Sequence, residues 1–300
     1  MHLFHAALVS FAERREIIMA IIEIDGFKFL DDTTERIIVV ETNRIDECVD
    51  YINANGINSV YLCDLWYNKK DIEFLQRIAF IDNLNISCPN IQDYDGLKCL
   101  SGLKKLIIGD VKSKLDLKNN LMLNELSIEM DKNILGLNEL NNLKILRLWK
   151  YTPKSKSLIE LSNLTSLKSL KISDSSIESF EGCEKLNKLE KLELSYLKKM
   201  CCIDELEKIK DTLKVLEFNS CKKITNHDYV SCLSNLEKLA FNRCSDIESI
   251  SFINDLKKLK SFIFMETNIC DGDLGACKDL EYVAFVNKKH YSHKLQDFRQ

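Results

Sequence analysis

One phrase of apolar and polar positions recurs along this chain from residue 97 onward. It reads LSGLKKLII at Leu100, LNELSI at Leu123, LNNLKILRL at Leu140, LSNLTSLKSLKI at Leu161 and LNKLEKLEL at Leu186. It continues as TLKVLEF at Thr212, LSNLEKLAF at Leu233, LKKLKSFIF at Leu256 and CKDLEYVAF at Cys277. The first apolar residue of each closing apolar-x-apolar unit is Leu106, Leu126, Leu146, Leu170, Leu192, Leu216, Leu239, Phe262 and Val283, a period of 20–24 residues. Val60 in INSVYL and Leu84 in IDNLNI extend the ladder backward, so about eleven turns are predicted.

An amphipathic helix is the alternative for an L-x-x-L-x-x-L string. It fails at the end of the phrase, where apolar residues are two apart, as in Leu146 and Leu148. Two residues on a helix lie on opposite faces, whereas a strand puts them on one face. The phrase therefore predicts a short strand, and the polar segments between copies predict the return path.

This pattern resembles the leucine-rich-repeat family over roughly residues 57–286. Residues 161–186 look like the short repeats of bacterial internalin-like proteins. Residues 213–233 look like the cysteine-containing subtype, with Cys221 at the turn and Cys244 at the same place one repeat later. The resemblance implies an α/β solenoid: a parallel concave sheet of about eleven short strands, with short helices or irregular turns on the convex side. One feature departs from the family. The asparagine that usually follows the strand is replaced by Val111, Asp131, Tyr151, Ser175, Leu197, Cys221, Cys244 and Thr267. That asparagine satisfies backbone groups at the turn, and buried backbone groups must find partners. Less regular turns are expected as a result.

Repeats of this kind cover one another and need caps at both ends. Residues 1–18 form an N-terminal extension of uncertain membership, and 19–56 an α/β cap. In that cap EIDGFKFLDD reads as a strand and tight turn, and RIIVVE as a buried strand. RIDECVDYINANG reads as a helix with Ile45, Cys48, Val49 and Ile52 inward, closed by Gly56. DIEFLQRI at 71–78 predicts a further convex helix. Residues 287–300 form the C-terminal cap, in which His290, Tyr291 and Phe298 cover the last turn.

Composition narrows the function. Lysine plus arginine number 42 and aspartate plus glutamate 46, a net charge of −4, which argues against a generic nucleic-acid binder. No apolar run approaches the ~20 residues of a membrane span, and the first residues lack the charged start and cleavage site of a signal peptide. Twelve cysteines occur without a CxxC pair. Cys48, Cys99, Cys183, Cys232 and Cys277 fall on apolar positions, which reads as buried reduced thiols and a cytoplasmic location. Adjacent Cys201 and Cys202, and His290 with His293, lack the ligand spacing of structural zinc. No phosphate-binding loop, HExxH or GxSxG occurs, so neither catalysis nor a cofactor is expected.

The repeat reading places Glu125, Glu129, Arg147, Trp149, Tyr151, Lys171, Glu193, Tyr196 and Glu217 on the concave face. Arg, Trp and Tyr are the types enriched at interface hot spots, so this mixed-charge, aromatic-centred set predicts a protein ligand bound by a monomer. Local packing of Trp149 and Tyr151 on the sheet is the competing reading. Toward the C-terminus the same face turns apolar through Ile263, Met265, Tyr282, Ala284 and Val286, and segment 287–300 is expected to cover this strip. Within the recognition reading, family analogy suggests a bacterial neutraliser of one protein such as a toxin. An adaptor subunit resembling ubiquitin-ligase substrate receptors ranks lower, because residues 1–56 show no paired helices of the F-box kind. An enzyme with an unrecognised site ranks last.

Overall fold

The computed structural model describes residues 21–31 and 35–298. The expected extension at 1–18 lies outside the described residues. The chain divides into two compact units, one ending at Leu143 and one beginning at Lys144.

The N-terminal unit opens on a hairpin of β1 (Ile21–Ile24) and β2 (Phe27–Asp31). Its two-residue turn has Asp25 at φ 52° and Gly26 at φ 77°. Positive φ at both positions is what a tight hairpin requires, and Asp-Gly is among the pairs that supply it. The next strand, β3 (Arg36–Val39), pairs antiparallel with β2 and parallel with β4 (Ser59–Cys63). Between them runs α1 (Ile45–Asn55), which buries the predicted Ile45, Cys48, Val49 and Ile52. The helix stops where Gly56 turns left-handed at φ 60° and returns its N–H to the Ile52 carbonyl. Parallel pairing continues through β5 (Asn83–Ser87), β6 (Lys105–Ile108) and β8 (Glu125–Glu129). A two-residue pair, β7 (Leu115–Asp116) with β9 (Ile134–Leu135), forms a separate small ladder.

The C-terminal unit is a parallel run: β10 (Ile145–Trp149), β11 (Ser169–Ser173), β12 (Lys191–Ser195), β13 (Val215–Asn219), β14 (Lys238–Asn242), β15 (Ser261–Phe264) and β16 (Tyr282–Phe285). The strand leucines are in register: Leu146, Leu170, Leu192, Leu216, Leu239, Phe262 and Val283 align across the strands. The first six are fully buried and Val283 nearly so. Each of the eleven predicted turns thus carries its strand, and β1–β3 add three strands ahead of them. Short 3-10 turns return the chain, among them Glu73–Ile78, where a helix was predicted.

The turns after the strands are more regular than the missing asparagines suggested. Asp110, Lys150, Asp174, Tyr196, Ser220, Arg243 and Glu266, each four residues past a strand leucine, all have φ between 51° and 57°. Left-handed backbone is unfavourable for side chains of this kind, so the repetition shows that the turn is fixed by its neighbours. The N–H groups of Lys150, Asp174, Tyr196, Ser220 and Arg243 each donate to the carbonyl three past the leucine of the next repeat, at 2.8–3.0 Å. One residue further on, small hydrogen-bonding side chains replace asparagine in the last three of these turns. The Cys221 thiol points to the Leu194 carbonyl at 3.7 Å, Cys244 to that of Phe218 at 3.6 Å, and the Thr267 hydroxyl to that of Phe241 at 2.6 Å. Burial pushes the Cys221 thiol up to about 11 and the Cys244 thiol to about 12, so both stay protonated donors at neutral pH.

The chain end forms a cap for the last turn. Tyr291 is buried against Phe264 and Phe285, and its hydroxyl accepts the Ile269 N–H at 3.1 Å. Phe298 lies edge-on to Phe285.

Candidate protein-binding face

Strand geometry sends alternate side chains to opposite sides. In the C-terminal unit the leucine side is the core, and the other side is an open sheet face. One row of this face runs in register through Arg147, Lys171, Glu193, Glu217, Ala240, Ile263 and Ala284. It changes from charged to apolar along the unit. Six inter-strand spacings of about 4.8 Å make the row roughly 29 Å long.

The charged half is internally paired. Lys191 Nζ lies 3.0 Å from Glu193, whose side chain is 8% exposed, and Lys238 Nζ lies 2.7 Å from Glu217. Glu193 and Glu217 are therefore neutralised in place and do not present a bare acidic patch. Arg147, Trp149 and Lys171 are half-buried on the same face. A polar row borders them: Ser173, Ser195, Asn219 and Asn242 are in register, and Asn242 Nδ2 donates to Asn219 Oδ1 at 3.0 Å.

Two predicted residues lie elsewhere. Tyr151 is 4% exposed and belongs to the core, so its placement on the face is corrected. Strand alternation would send it outward after Arg147 and Trp149, but Lys150 turns left-handed at φ 53° and rotates the chain inward. Its hydroxyl is buried without a hydrogen-bond partner, and burial holds it well above the ordinary tyrosine range. Tyr196 occupies the left-handed position itself and is 47% exposed at the rim of the face. Glu125 and Glu129 lie on β8 in the N-terminal unit, where both are half-buried.

The apolar half is open. Met265 is 39% exposed, Tyr282 56% and Val286 47%, with Ile263 and Ala284 half-buried beside them. The expected cover by residues 287–300 is corrected accordingly. Residues 287–298 pack on the end of the core through Tyr291 and Phe298 and leave this strip exposed among the described residues. At the rim Arg243 grips Glu266 with two bonds of 3.0 and 2.9 Å, which raises the guanidinium and lowers the carboxyl.

A second concavity, of about 510 Å³, lies in the N-terminal unit between α1 and the turn Glu73–Ile78. Arg77 pairs across it with Asp46, and Arg44 pairs with Glu47 at 2.8 Å along the α1 edge. Among the described residues no three His, Cys, Asp or Glu side chains are grouped to hold a metal ion. No helix there is long and apolar enough to cross a membrane.

No protein-family model and no curated protein matches the sequence. Solved structures do. An internalin from Listeria monocytogenes aligns with a TM-score of 0.59 and 21% identity, over 80% of this chain and 71% of its own. A leucine-rich-repeat protein from Leptospira interrogans aligns with a TM-score of 0.52 and 16% identity, over 79% and 74%. The leucine-rich-repeat ectodomain of a plant membrane receptor kinase from Arabidopsis thaliana, solved in complex with a Casparian strip integrity factor, aligns with a TM-score of 0.50 and 16% identity, over 77% and 29%. The fold is the leucine-rich-repeat solenoid, built from short internalin-like turns.

Proposed function

We propose that this chain is a non-catalytic protein-recognition module whose open sheet face in the C-terminal unit receives a protein partner. The observation that carries the reading is the uncovered strip of Met265, Tyr282 and Val286. An exposed apolar patch rimmed by polar residues marks a contact surface. Its neighbours on the face suit the same use. Apolar side chains supply the buried centre, while the pre-paired Glu193 and Glu217 and the Asn219–Asn242 row supply a polar border. Trp149 and Arg147 form a second anchor of hot-spot type toward the other end. The plant receptor ectodomain, solved in complex with a Casparian strip integrity factor, shows the fold in a complex, though fold alone does not define function.

The finer reading is one specific partner, such as a toxin, sequestered by a monomer. The free state of all twelve cysteines supports a reducing compartment such as the cytoplasm as the place of action. The test is affinity capture from the source cells with the intact chain and with Tyr282→Asp and Trp149→Ala. A protein retained by the intact chain and lost from Tyr282→Asp supports the reading. Equal recovery on every version overturns the assignment to this face.

A further inference from the structure

Most of the cysteines are packing residues. Cys48, Cys63, Cys88, Cys183, Cys221, Cys244 and Cys277 are buried, whereas Cys201, Cys202 and Cys270 are exposed. Two of these exposed thiols are consecutive. They sit in the loop between β12 and the 3-10 turn Asp204–Ile209, outside the open face described above. The Cys202 thiol donates to Asp204 Oδ1 at 2.7 Å, and its sulfur accepts from Asn226 Nδ2 at 3.3 Å.

Consecutive Cα atoms lie about 3.8 Å apart. A relaxed disulfide spans about 4.4–6.8 Å between Cα atoms, so direct closure of an S–S bond strains this loop. A larger atom placed between the two sulfurs removes that conflict. Structural zinc needs four ligands, and no group of three or more His, Cys, Asp or Glu is available among the described residues. What the loop offers is two soft sulfurs and no more.

We propose that Cys201 and Cys202 form a dithiol site for a monosubstituted trivalent arsenical, a soft centre that takes two sulfur ligands. With an aryl arsenic(III) oxide, two S–As bonds form and the bonds from arsenic to oxygen break. The oxygen leaves as water with the two thiol protons. Arsenic stays trivalent, so no oxidant or reductant is required. Asp204 accepts the hydrogen bond of the Cys202 thiol, so a carboxylate already contacts one of the two protons that must leave. Cys270 provides an internal control: it is exposed but has no exposed thiol beside it in sequence.

The experiment treats the full chain with phenylarsine oxide in excess monothiol and reads intact mass and peptide mass. The expected result is one phenylarsenic group per chain on the peptide containing Cys201 and Cys202, released by a 1,2-dithiol. Cys201→Ser and Cys202→Ser each lose the adduct and keep the native circular dichroism and melting midpoint, since both side chains are exposed. Cys270→Ser retains it. No adduct surviving the monothiol, or an adduct that persists in either pair variant, overturns the proposal.

Discussion

The backbone N–H of Cys244 donates to Thr267 Oγ1 at 3.0 Å, one repeat further on. The same hydroxyl donates to the Phe241 carbonyl at 2.6 Å, so a single buried side chain satisfies two backbone groups. This is the job that asparagine does in regular repeats. Replacing Thr267 with Val keeps shape and β-branching but leaves both groups unpaired. A loss of about 1–3 kcal/mol is expected for that desolvated pair, read by denaturant unfolding. A neutral Thr267→Val would show that these turns are held without their side chains.

Leu170 is fully buried in the middle of the C-terminal unit, aligned with Leu146 and Leu192 on either side. Truncation to Ala removes its packing and leaves a cavity whose neighbours are held in register. The expected cost is about 2–5 kcal/mol, with a matching fall in melting temperature. A negligible change would mean that the strand register is wrong.

Tyr151 makes the opposite case. Its hydroxyl is buried and unpartnered, so the fold bears its desolvation without a bond in return. Tyr151→Phe is expected to leave stability unchanged or raise it by up to ~1 kcal/mol. Partner capture should be unaffected, because the ring faces the core. Reduced stability in the Phe variant would show that the hydroxyl has a partner in solution.

His227 is 3% exposed, edge-on to Phe241, with Nε2 3.3 Å from Ser245 Oγ. Burial lowers its pKa, and Asp228 only partly offsets this. The unfolded chain takes up this proton near about pH 6.5, and the folded chain only at lower pH. Between those values the unfolded state binds more protons, so stability falls as pH falls. Urea midpoints taken on either side of about pH 6.5 should diverge more in the wild type than in His227→Asn. Equal pH dependence in both would remove His227 from the account.

The fold was legible because its signal is repeated. Eleven copies of one phrase set the strands, and the spacing of two in Leu146–Leu148 excluded a helix. The cap was legible for a similar reason, since Asp25-Gly26 and Gly56 mark two places where left-handed backbone is needed. The face was read less well. Period-two alternation was carried one residue too far, to Tyr151, past the turn at Lys150. The signal was present in the aligned positions Ser175, Leu197, Cys221 and Thr267, all buried and none of them a surface type of large aromatic. The open strip was missed for a different reason. Tyr291 and Phe298 in residues 287–300 suggested a cover, but sequence pattern does not say which side of the last turn a tail will close. Tyr291 chose the core end because its hydroxyl finds the Ile269 N–H there.

Site-specific photocrosslinking tests the central claim most directly. Benzoylphenylalanine is placed at Tyr282, on the open strip, and separately at Tyr229, also exposed, on the 3-10 turn His227–Cys232. Crosslinking is carried out in the source cells. One discrete protein adduct is expected from position 282 and none of that mass from position 229. The same adduct from both positions, or from 229 only, would contradict it.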